Sequence, residues 1–151
     1  MLEEDGAVVA DSTAILEYLE ERYPERPLYP LDEARGTELR LFVDWFDRVW
    51  KRPPNLLVDL GSDDPRVTEL AEALEGSLGT FEALLAGRDF LYGGVFTAAD
   101  AAAFPFLKYA VGLDPTDADP FHHVLARHLA LEGRYPRLEA WIRRVDALPR
   151  A

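Results

Sequence analysis

The sequence predicts a mainly α-helical protein with a small piece of α/β structure at its N-terminus. Three observations support this fold class. Val8 and Val9 precede a polar helix start, and a segment with three prolines follows that helix. Every later periodic segment repeats its apolar residues about every 3.6 positions, and none alternates with a period of two. A chain of 151 residues can bury roughly 70% of its unfolded surface, which is enough for a sizeable core.

The first 23 residues combine a strand with a helix. Val8 and Val9 end the strand, and EEDG at residues 3–6 is typical of a turn between strands. A helix follows from Ser12 to Glu21. Almost no chain precedes the strand, so we expect its hydrogen-bonding edge to lack a partner.

A proline-rich linker separates this part from the rest of the chain. Pro24, Pro27 and Pro30 fix φ and lack an amide donor, so their segment cannot form a helix or a central strand. We therefore divide the chain into an N-terminal part at residues 1–23, a linker at 24–31 and an all-helical domain at 32–151.

The first helices after the linker show clear apolar faces. In EARGTELRLFVDWFDRVWKR, a long helix ends at Pro53-Pro54, and Leu41 and Trp45 add a second apolar surface. Its main apolar face holds Leu39, Phe42, Val43, Phe46, Val49 and Trp50. The next helix starts with Asp64 as N-cap and Pro65 as first residue and runs to Gly87. Glycines 76 and 79 inside it predict close packing against a neighbour.

Three further helices complete the domain. In FLYGGVFTAADAAAFPFLKYA, Thr97 and Asp100 have the spacing of a capping box, in which each side chain can bond the other's backbone amide. We predict a structural cap there and keep a catalytic carboxylate as the alternative. The helix after it is apolar all round and therefore central. A shorter helix in DPFHHVLARHLALEGR closes near Gly133. The last, in YPRLEAWIRRVDALP, has an inner face of Leu138, Trp141, Ile142, Val145 and Leu148.

Composition limits the classes of partner. The formal net charge of −12 argues against nucleic acid, because phosphate binding needs a positive field. The absence of cysteine excludes disulfides, thiolate metal sites and a cysteine nucleophile. No apolar run approaches the ~20 residues of a membrane span, and the acidic N-terminus does not resemble a signal peptide. We expect a soluble, cytoplasmic protein without membrane partners.

Three histidines and one acidic stretch invite a metal interpretation that their spacing does not favour. His122 and His123 stand six and five residues before His128, unlike the i, i+4 pair of a helical zinc site. GSDDP at residues 61–65 lacks the alternating ligands of a calcium loop. We predict surface or packing histidines, a helix cap at GSDDP and no metal site.

Several of these segments together resemble the glutathione S-transferase family. DGAVVADSTAILEYLEERYPERPLYP is similar to the last strand, last helix and linker of the family's thioredoxin-like half. FLYGGVFTAADAAAFP resembles the helical-domain motif, and YPRLEAWIRRVDALP resembles the closing helix. The match covers nearly the whole chain in family order and is specific as a set. It implies a glutathione S-transferase C-terminal-like helical bundle with a remnant of a thioredoxin-like α/β domain.

The resemblance also implies roles for individual residues. Ser12, with Asp11 beside it, would hold the γ-glutamyl end of the substrate glutathione through hydroxyl, backbone amide and carboxylate contacts. The helix with Trp45 and Trp50 would line a pocket for an apolar electrophile, and Arg48 would meet an anionic substrate. Both tryptophans also suit core packing, and Arg48 also suits a solvated surface. In the full-length form the first helices would contribute to a homodimer.

Most of the family's N-terminal half is missing from this sequence, which predicts an N-terminally truncated chain. The resemblance implies that the missing part holds the residue that stabilises the glutathione thiolate and a cis-proline that binds glutathione. Lowering a thiol pKa needs a positioned donor or positive potential, and residues 1–11 supply neither. We therefore predict no catalytic residue here and no competent transferase from this chain alone. A GTG start read as methionine, a deliberate cut and a natural truncation would each leave this sequence.

Two functions of different classes follow. The first is a glutathione S-transferase-like protein that conjugates the glutathione thiolate to a small apolar electrophile when the N-terminal half is present. The alternative is a noncatalytic helical scaffold for protein interactions, with an apolar surface available to a partner. A carrier for apolar molecules is a third, weaker possibility.

Overall fold

The computed structural model describes residues 1–4, 6–61 and 63–149 of the chain. A small hairpin and one helix precede a bundle of helices, which confirms the predicted mainly α fold class. In chain order the elements are β1 (Leu2–Glu4), β2 (Ala7–Val9), α1 (Ser12–Arg22), α2 (Glu33–Trp45), α3 (Arg52–Asp59), α4 (Arg66–Leu84), α5 (Ala98–Leu107), α6 (Pro120–His128) and α7 (Pro136–Asp146). A π-helical turn (Phe46–Trp50) continues α2, and a 3-10 turn (Lys108–Val111) continues α5.

The N-terminal strand is paired, which corrects the expectation of an unpaired edge. β1 and β2 run antiparallel, with Leu2 opposite Val9. Gly6 stands in the turn at φ +82°, a left-handed conformation that suits glycine. Asp5, also part of the predicted EEDG turn, lies outside the described residues. A hairpin needs only a short local connection, so the few residues before the strand suffice as a partner.

Two tyrosines, one in α1 and one at its C-terminal cap, tie the hairpin to the helix. The Glu4 carboxylate accepts a hydrogen bond from the Tyr23 hydroxyl at 2.6 Å and one from the Tyr18 hydroxyl at 3.0 Å. The bond from Tyr23, followed by that from Tyr18, holds the pKa of Glu4 below its usual value. The same carboxylate raises the pKa of Tyr23.

We expect the hairpin to loosen from α1 as the pH falls. Because the folded-state pKa of Glu4 is depressed, its contribution is fully present above the unfolded value of about 4.5 and is lost as the pH falls through the folded pKa. The amide shift of Val8 should therefore titrate below pH 4.5 in NMR spectra. Glu4→Gln should lack this transition and the control Glu3→Gln should keep it; an unchanged transition in Glu4→Gln would contradict the assignment.

The proline-rich linker is held against the bundle. The Leu28 amide donates to Glu20 of α1 at 2.6 Å, and the Leu28 carbonyl accepts from the Ala98 amide at 2.9 Å. That amide belongs to the first turn of α5 and has no partner within its own helix. Tyr29 is buried in the core, and the Arg40 guanidinium lies 4.6 Å from its ring centroid. The linker therefore fixes α1 relative to α5.

The first long helix of the bundle changes its hydrogen-bonding pattern partway along. In the π-helical turn, the Lys51 amide donates to the Phe46 carbonyl five residues earlier, at 3.0 Å. The wider turn changes the directions in which the side chains of this segment point. Val49 is therefore exposed, although the α-helical period predicted it on the inner face. Leu41, predicted to lie on a second apolar surface, is 65% exposed.

Two prolines begin a helix that the sequence analysis did not predict. The preceding helix does end before Pro53-Pro54, as expected, but both residues then stand in the first turn of α3. Proline is tolerated there because first-turn amides have no partner within the helix. Leu57 of α3 is buried, and the helix contacts α4 and α6.

The α4 helix begins one residue later than predicted, with Pro65 rather than Asp64 as the N-cap. Asp64 accepts a hydrogen bond from the Arg66 amide at 2.9 Å. The Arg66 side chain, and then its amide, lower the pKa of Asp64 to about 2. The helix ends before Gly87. The packing predicted for Gly76 and Gly79 is wrong, because both are exposed and an added Cβ would meet nothing within 4 Å in the described part of the chain.

The α5 helix is the centre of the bundle, as its all-round apolar sequence predicts. It contacts α1, α2, α6 and α7. Pro105 stands near its end, and the chain tightens into the 3-10 turn shortly after. Among the described residues, no helix is both long and apolar enough to cross a membrane.

The last two helices close the core against α5. α7 buries Leu138, Trp141, Ile142 and Val145, as its periodicity predicts. Leu148 lies beyond the end of α7 and is exposed. α6 ends at His128, so the predicted end near Gly133 is wrong.

Candidate functional site

The N-terminus of α1 carries the two residues expected to hold glutathione. Asp11 is the N-cap, and its Oδ1 accepts from the amides of Thr13 at 2.9 Å and Ala14 at 3.0 Å. Within the described ranges, Asp11 Oδ2 and the amide and hydroxyl of Ser12 have no hydrogen-bond partner. A helix N-terminus favours an anion. The site therefore offers two donors for a carboxylate and one acceptor for an ammonium group.

Ser12 also lines an apolar pocket between α1, α2 and α5. The cavity has a volume of about 350 Å³, within the range of roughly 300–1,000 Å³ that is typical of small-molecule sites. Its apolar wall includes Ile15, Leu16, Val43, Phe46, Ala102 and Phe106. The end of α1 thus places polar donors beside a space suited to an apolar ligand.

One ion pair lies in the wall of this pocket. The Lys51 ammonium is 2.7 Å from Asp47 Oδ1 and 4.8 Å from the centroid of the Phe106 ring. Only 19% of the Lys51 side chain is exposed. The pocket therefore combines an aromatic wall with a single, partly desolvated cation that a carboxylate already balances.

The structure places Trp45 and Arg48 away from this pocket. Trp45 is half-buried, and its ring centroid lies 6.5 Å from that of Phe81 of α4. Arg48 is 76% exposed, and its Nε pairs with Asp44 at 2.6 Å. Neither residue lines the cavity beside Ser12, so their role in substrate binding stays a prediction.

The Asp100 carboxylate is fully buried and accepts four hydrogen bonds. Its Oδ2 accepts from the Thr97 amide at 2.8 Å and the Thr97 hydroxyl at 2.9 Å. Its Oδ1 accepts from the Leu91 amide at 2.9 Å and from Trp141 Nε1 at 2.8 Å. An ionised carboxylate has about four acceptor positions, and the protein fills all of them. This arrangement favours the structural interpretation of Thr97 and Asp100 over a catalytic one.

His122 and His128 each lie beside an acidic side chain. His122 Nδ1 lies 2.8 Å from Asp117 Oδ2, and its ring stacks on Tyr109 with centroids 4.4 Å apart. His128 Nδ1 lies 3.6 Å from Glu75 Oε1. In the part of the chain that the structure describes, no group of three or more potential ligands could hold a metal ion.

Sequence reasoning missed Asp47 and Lys51 as pocket residues. Their i, i+4 spacing is visible in the sequence, but such a pair usually marks a solvated helix surface. The informative contact is that of Lys51 with Phe106, which belongs to a distant helix. No local pattern could have identified it.

Comparisons with known proteins identify the family. A family profile described as "Glutathione S-transferase, C-terminal domain" matches residues 38–144, and one described as "Glutathione S-transferase, N-terminal domain" matches residues 1–27. FtsZ-localized protein A of Caulobacter vibrioides is 36% identical over 112 residues, which cover 67% of this chain and 49% of that protein. The chain thus spans about half the length of this curated relative.

Solved structures share the fold. A glutathione S-transferase from Rhodospirillum rubrum has a TM-score of 0.69 and 27% identity, covering 97% of this chain and 64% of that one. A glutathione S-transferase from Methylobacterium radiotolerans, in complex with glutathione sulfonate, has a TM-score of 0.69 and 25% identity, covering 98% and 66%. The predicted helical bundle with a thioredoxin-like remnant is thereby confirmed. Because the C-terminal domain profile matches more than half of the residues of this chain, the chain belongs to the glutathione S-transferase family.

Proposed function

We propose that this chain binds glutathione at α1 and selects a small apolar electrophile for conjugation, with the thiolate activated by an N-terminal half of the family type. The observation that carries the proposal is the shared pocket. Ser12, the residue expected to hold glutathione, lines the same cavity as the aromatic residues Phe46 and Phe106. The complex of the Methylobacterium radiotolerans relative with glutathione sulfonate supports glutathione as the ligand.

The charged groups of glutathione suit the end of α1. Its γ-glutamyl carboxylate matches the amide and hydroxyl of Ser12 at the positive end of the helix. Its γ-glutamyl ammonium matches Oδ2 of Asp11. Such contacts would hold the tripeptide by one end and present its sulfur to the electrophile in a limited set of geometries. The thiolate sulfur would then form a C–S bond to the electrophilic carbon, either expelling a leaving group as its anion or adding to a conjugated double bond whose other carbon takes a proton from water.

Ser12→Ala should weaken glutathione binding about tenfold or more, because one hydrogen bond to a charged carboxylate is lost. The helix should persist, since its cap is Asp11 rather than Ser12. Isothermal titration calorimetry on the whole chain measures the effect. Thr80→Ala, on the exposed face of α4, is the matched control and should bind as the unsubstituted chain does. Equal affinities of the two variants, or no binding by the unsubstituted chain, would refute the proposal.

A noncatalytic scaffold is the second candidate, favoured by the 36% identity to FtsZ-localized protein A. Leu41 and Val49 expose apolar surface on the helix that also lines the pocket. Cosedimentation with FtsZ filaments tests this function, and saturable binding that Ser12→Ala leaves unchanged would support it. Failure to cosediment would count against it.

The family resemblance further supports a cytoplasmic homodimer in the full-length form.

A further inference from the structure

Lys51 lies in the wall of the apolar pocket and has hydrogen-bond donors that the proposed function does not use. An ammonium group has three N–H donors. Within the described residues, Asp47 accepts one of them, and the face of Phe106 lies 4.8 Å away. Only 19% of the side chain is exposed, and Lys51 lines the cavity, so a bound ligand can reach its other donors. A partly buried cation gains when such donors are hydrogen-bonded.

The π-helical turn builds this corner of the pocket. Its first residue, Phe46, forms part of the aromatic wall, and Asp47 follows it directly. The Lys51 amide closes the turn by donating to the Phe46 carbonyl. The start of the turn and the residue that caps its end therefore line one cavity, and π-helical turns recur at functional sites.

We propose that Lys51 selects planar apolar ligands that carry an uncharged hydrogen-bond acceptor, such as a conjugated carbonyl group. The partly exposed ring of Phe106 in the cavity wall suits a flat ligand. An acceptor oxygen would take a remaining N–H of Lys51. Asp47 already balances the charge of that ammonium, so an anionic ligand would meet the carboxylate as well. This inference deepens the proposed function, because it concerns the electrophile of the same site.

Three naphthalene ligands test the preference in samples without glutathione. 2-Acetylnaphthalene carries the carbonyl, naphthalene lacks it, and 2-naphthoate carries an anion on the same ring system. Ligand-observed NMR titrations of the whole chain give the three dissociation constants. We expect 2-acetylnaphthalene to bind about tenfold more tightly than either of the others. Equal binding of naphthalene, or tighter binding of 2-naphthoate, would overturn the inference.

Two lysine variants connect the preference to one side chain. Lys51→Met removes the ammonium and keeps an unbranched stem, so it should abolish the tenfold preference. Lys108→Met is the matched control, because the Lys108 ammonium also lies over a ring, that of Tyr109 at 4.9 Å, and does not line this pocket. It should leave the preference unchanged. A preference that survives in Lys51→Met, or is lost equally in Lys108→Met, would overturn the inference.

A further variant keeps the test decisive if circular dichroism shows that Lys51→Met does not fold. Asp47→Asn removes the balancing carboxylate, so 2-naphthoate should gain about tenfold in affinity. An unchanged affinity for 2-naphthoate would overturn the role of the ion pair. Because glutathione is absent from these titrations, a failed ligand preference would not change the result for glutathione binding by Ser12→Ala. A failure to bind glutathione would likewise not change the measured preference among the naphthalene ligands.

Discussion

Replacing Asp100 with alanine is expected to lower the free energy of unfolding by about 3–5 kcal/mol, because each buried donor left without an acceptor costs roughly 1–3 kcal/mol. The carboxylate is fully buried and joins three separate segments of the chain. Without it, the Leu91 amide and Trp141 Nε1 lose the acceptor at 2.9 and 2.8 Å, and Thr97 loses the partner of its amide. Urea unfolding followed by circular dichroism measures the change.

Two controls separate this effect from the loss of any carboxylate. Asp114 is exposed and accepts from the amide and hydroxyl of Thr116, so Asp114→Ala should change the free energy of unfolding by no more than about 0.5 kcal/mol. Asp100→Asn keeps one acceptor oxygen but turns an amide group toward donors. Its loss in the free energy of unfolding should fall between those of Asp114→Ala and Asp100→Ala. A loss below about 1 kcal/mol in Asp100→Ala would show that water or rearranged groups replace the carboxylate.

The capping box shows which part of the fold the sequence could predict. Thr97 and Asp100 are three residues apart, and the geometry of a helix start brings that spacing together without any tertiary information. The contact of the same carboxylate with Trp141 depends on the packing of α7 against α5, and the contact with Leu91 depends on the course of the loop before α5. The hydrogen bonds of Asp100 with Thr97 were therefore predictable, and those with Leu91 and Trp141 were not.

Two of the errors in the predicted helices have identifiable physical causes. Periodicity assumes 3.6 residues per turn throughout a helix, and the π-helical turn breaks that assumption after α2. Val49 consequently faces solvent instead of the core. Pro53-Pro54 raised a similar problem, because proline both ends one helix and suits the first turn of the next. The periodic pattern held where the hydrogen bonding stayed α-helical, as in α7.

The candidate site was predictable only where it is local. Asp11 and Ser12 stand at a helix start that the sequence marks clearly, and the structure adds the adjacent cavity. On the helix opposite, both Trp45 and its neighbour Phe46 are aromatic, so composition could not decide which one faces the pocket. In the structure both rings lie near Phe81 of α4, but Phe46 is among the residues that line the cavity and Trp45 is not. The position of the cavity depends on how α1, α2 and α5 pack together, which no local pattern encodes.

Replacing Phe46 with alanine should lower the free energy of unfolding by about 3–5 kcal/mol, the usual cost of removing a buried aromatic ring. The Phe46 ring is fully buried and stacks on Trp50, with centroids 4.5 Å apart and planes inclined by 11°. It also packs edge-on against Phe106 at 5.6 Å. Because Phe46 lines the pocket as well, the lost ring would join a new void in the core to the existing cavity.

The two roles of Phe46 can be measured separately. Leu41→Ala is the control for stability, since Leu41 is on the same helix but 65% exposed, and it should change the free energy of unfolding by about 0.5 kcal/mol or less. Phe46→Leu restores apolar volume but not the flat ring against which Phe106 packs, so it should recover part of the stability while binding naphthalene ligands more weakly than the unsubstituted chain. Full ligand affinity in Phe46→Leu would mean that apolar volume alone makes the pocket, and that the aromatic wall built by the π-helical turn matters only for the core.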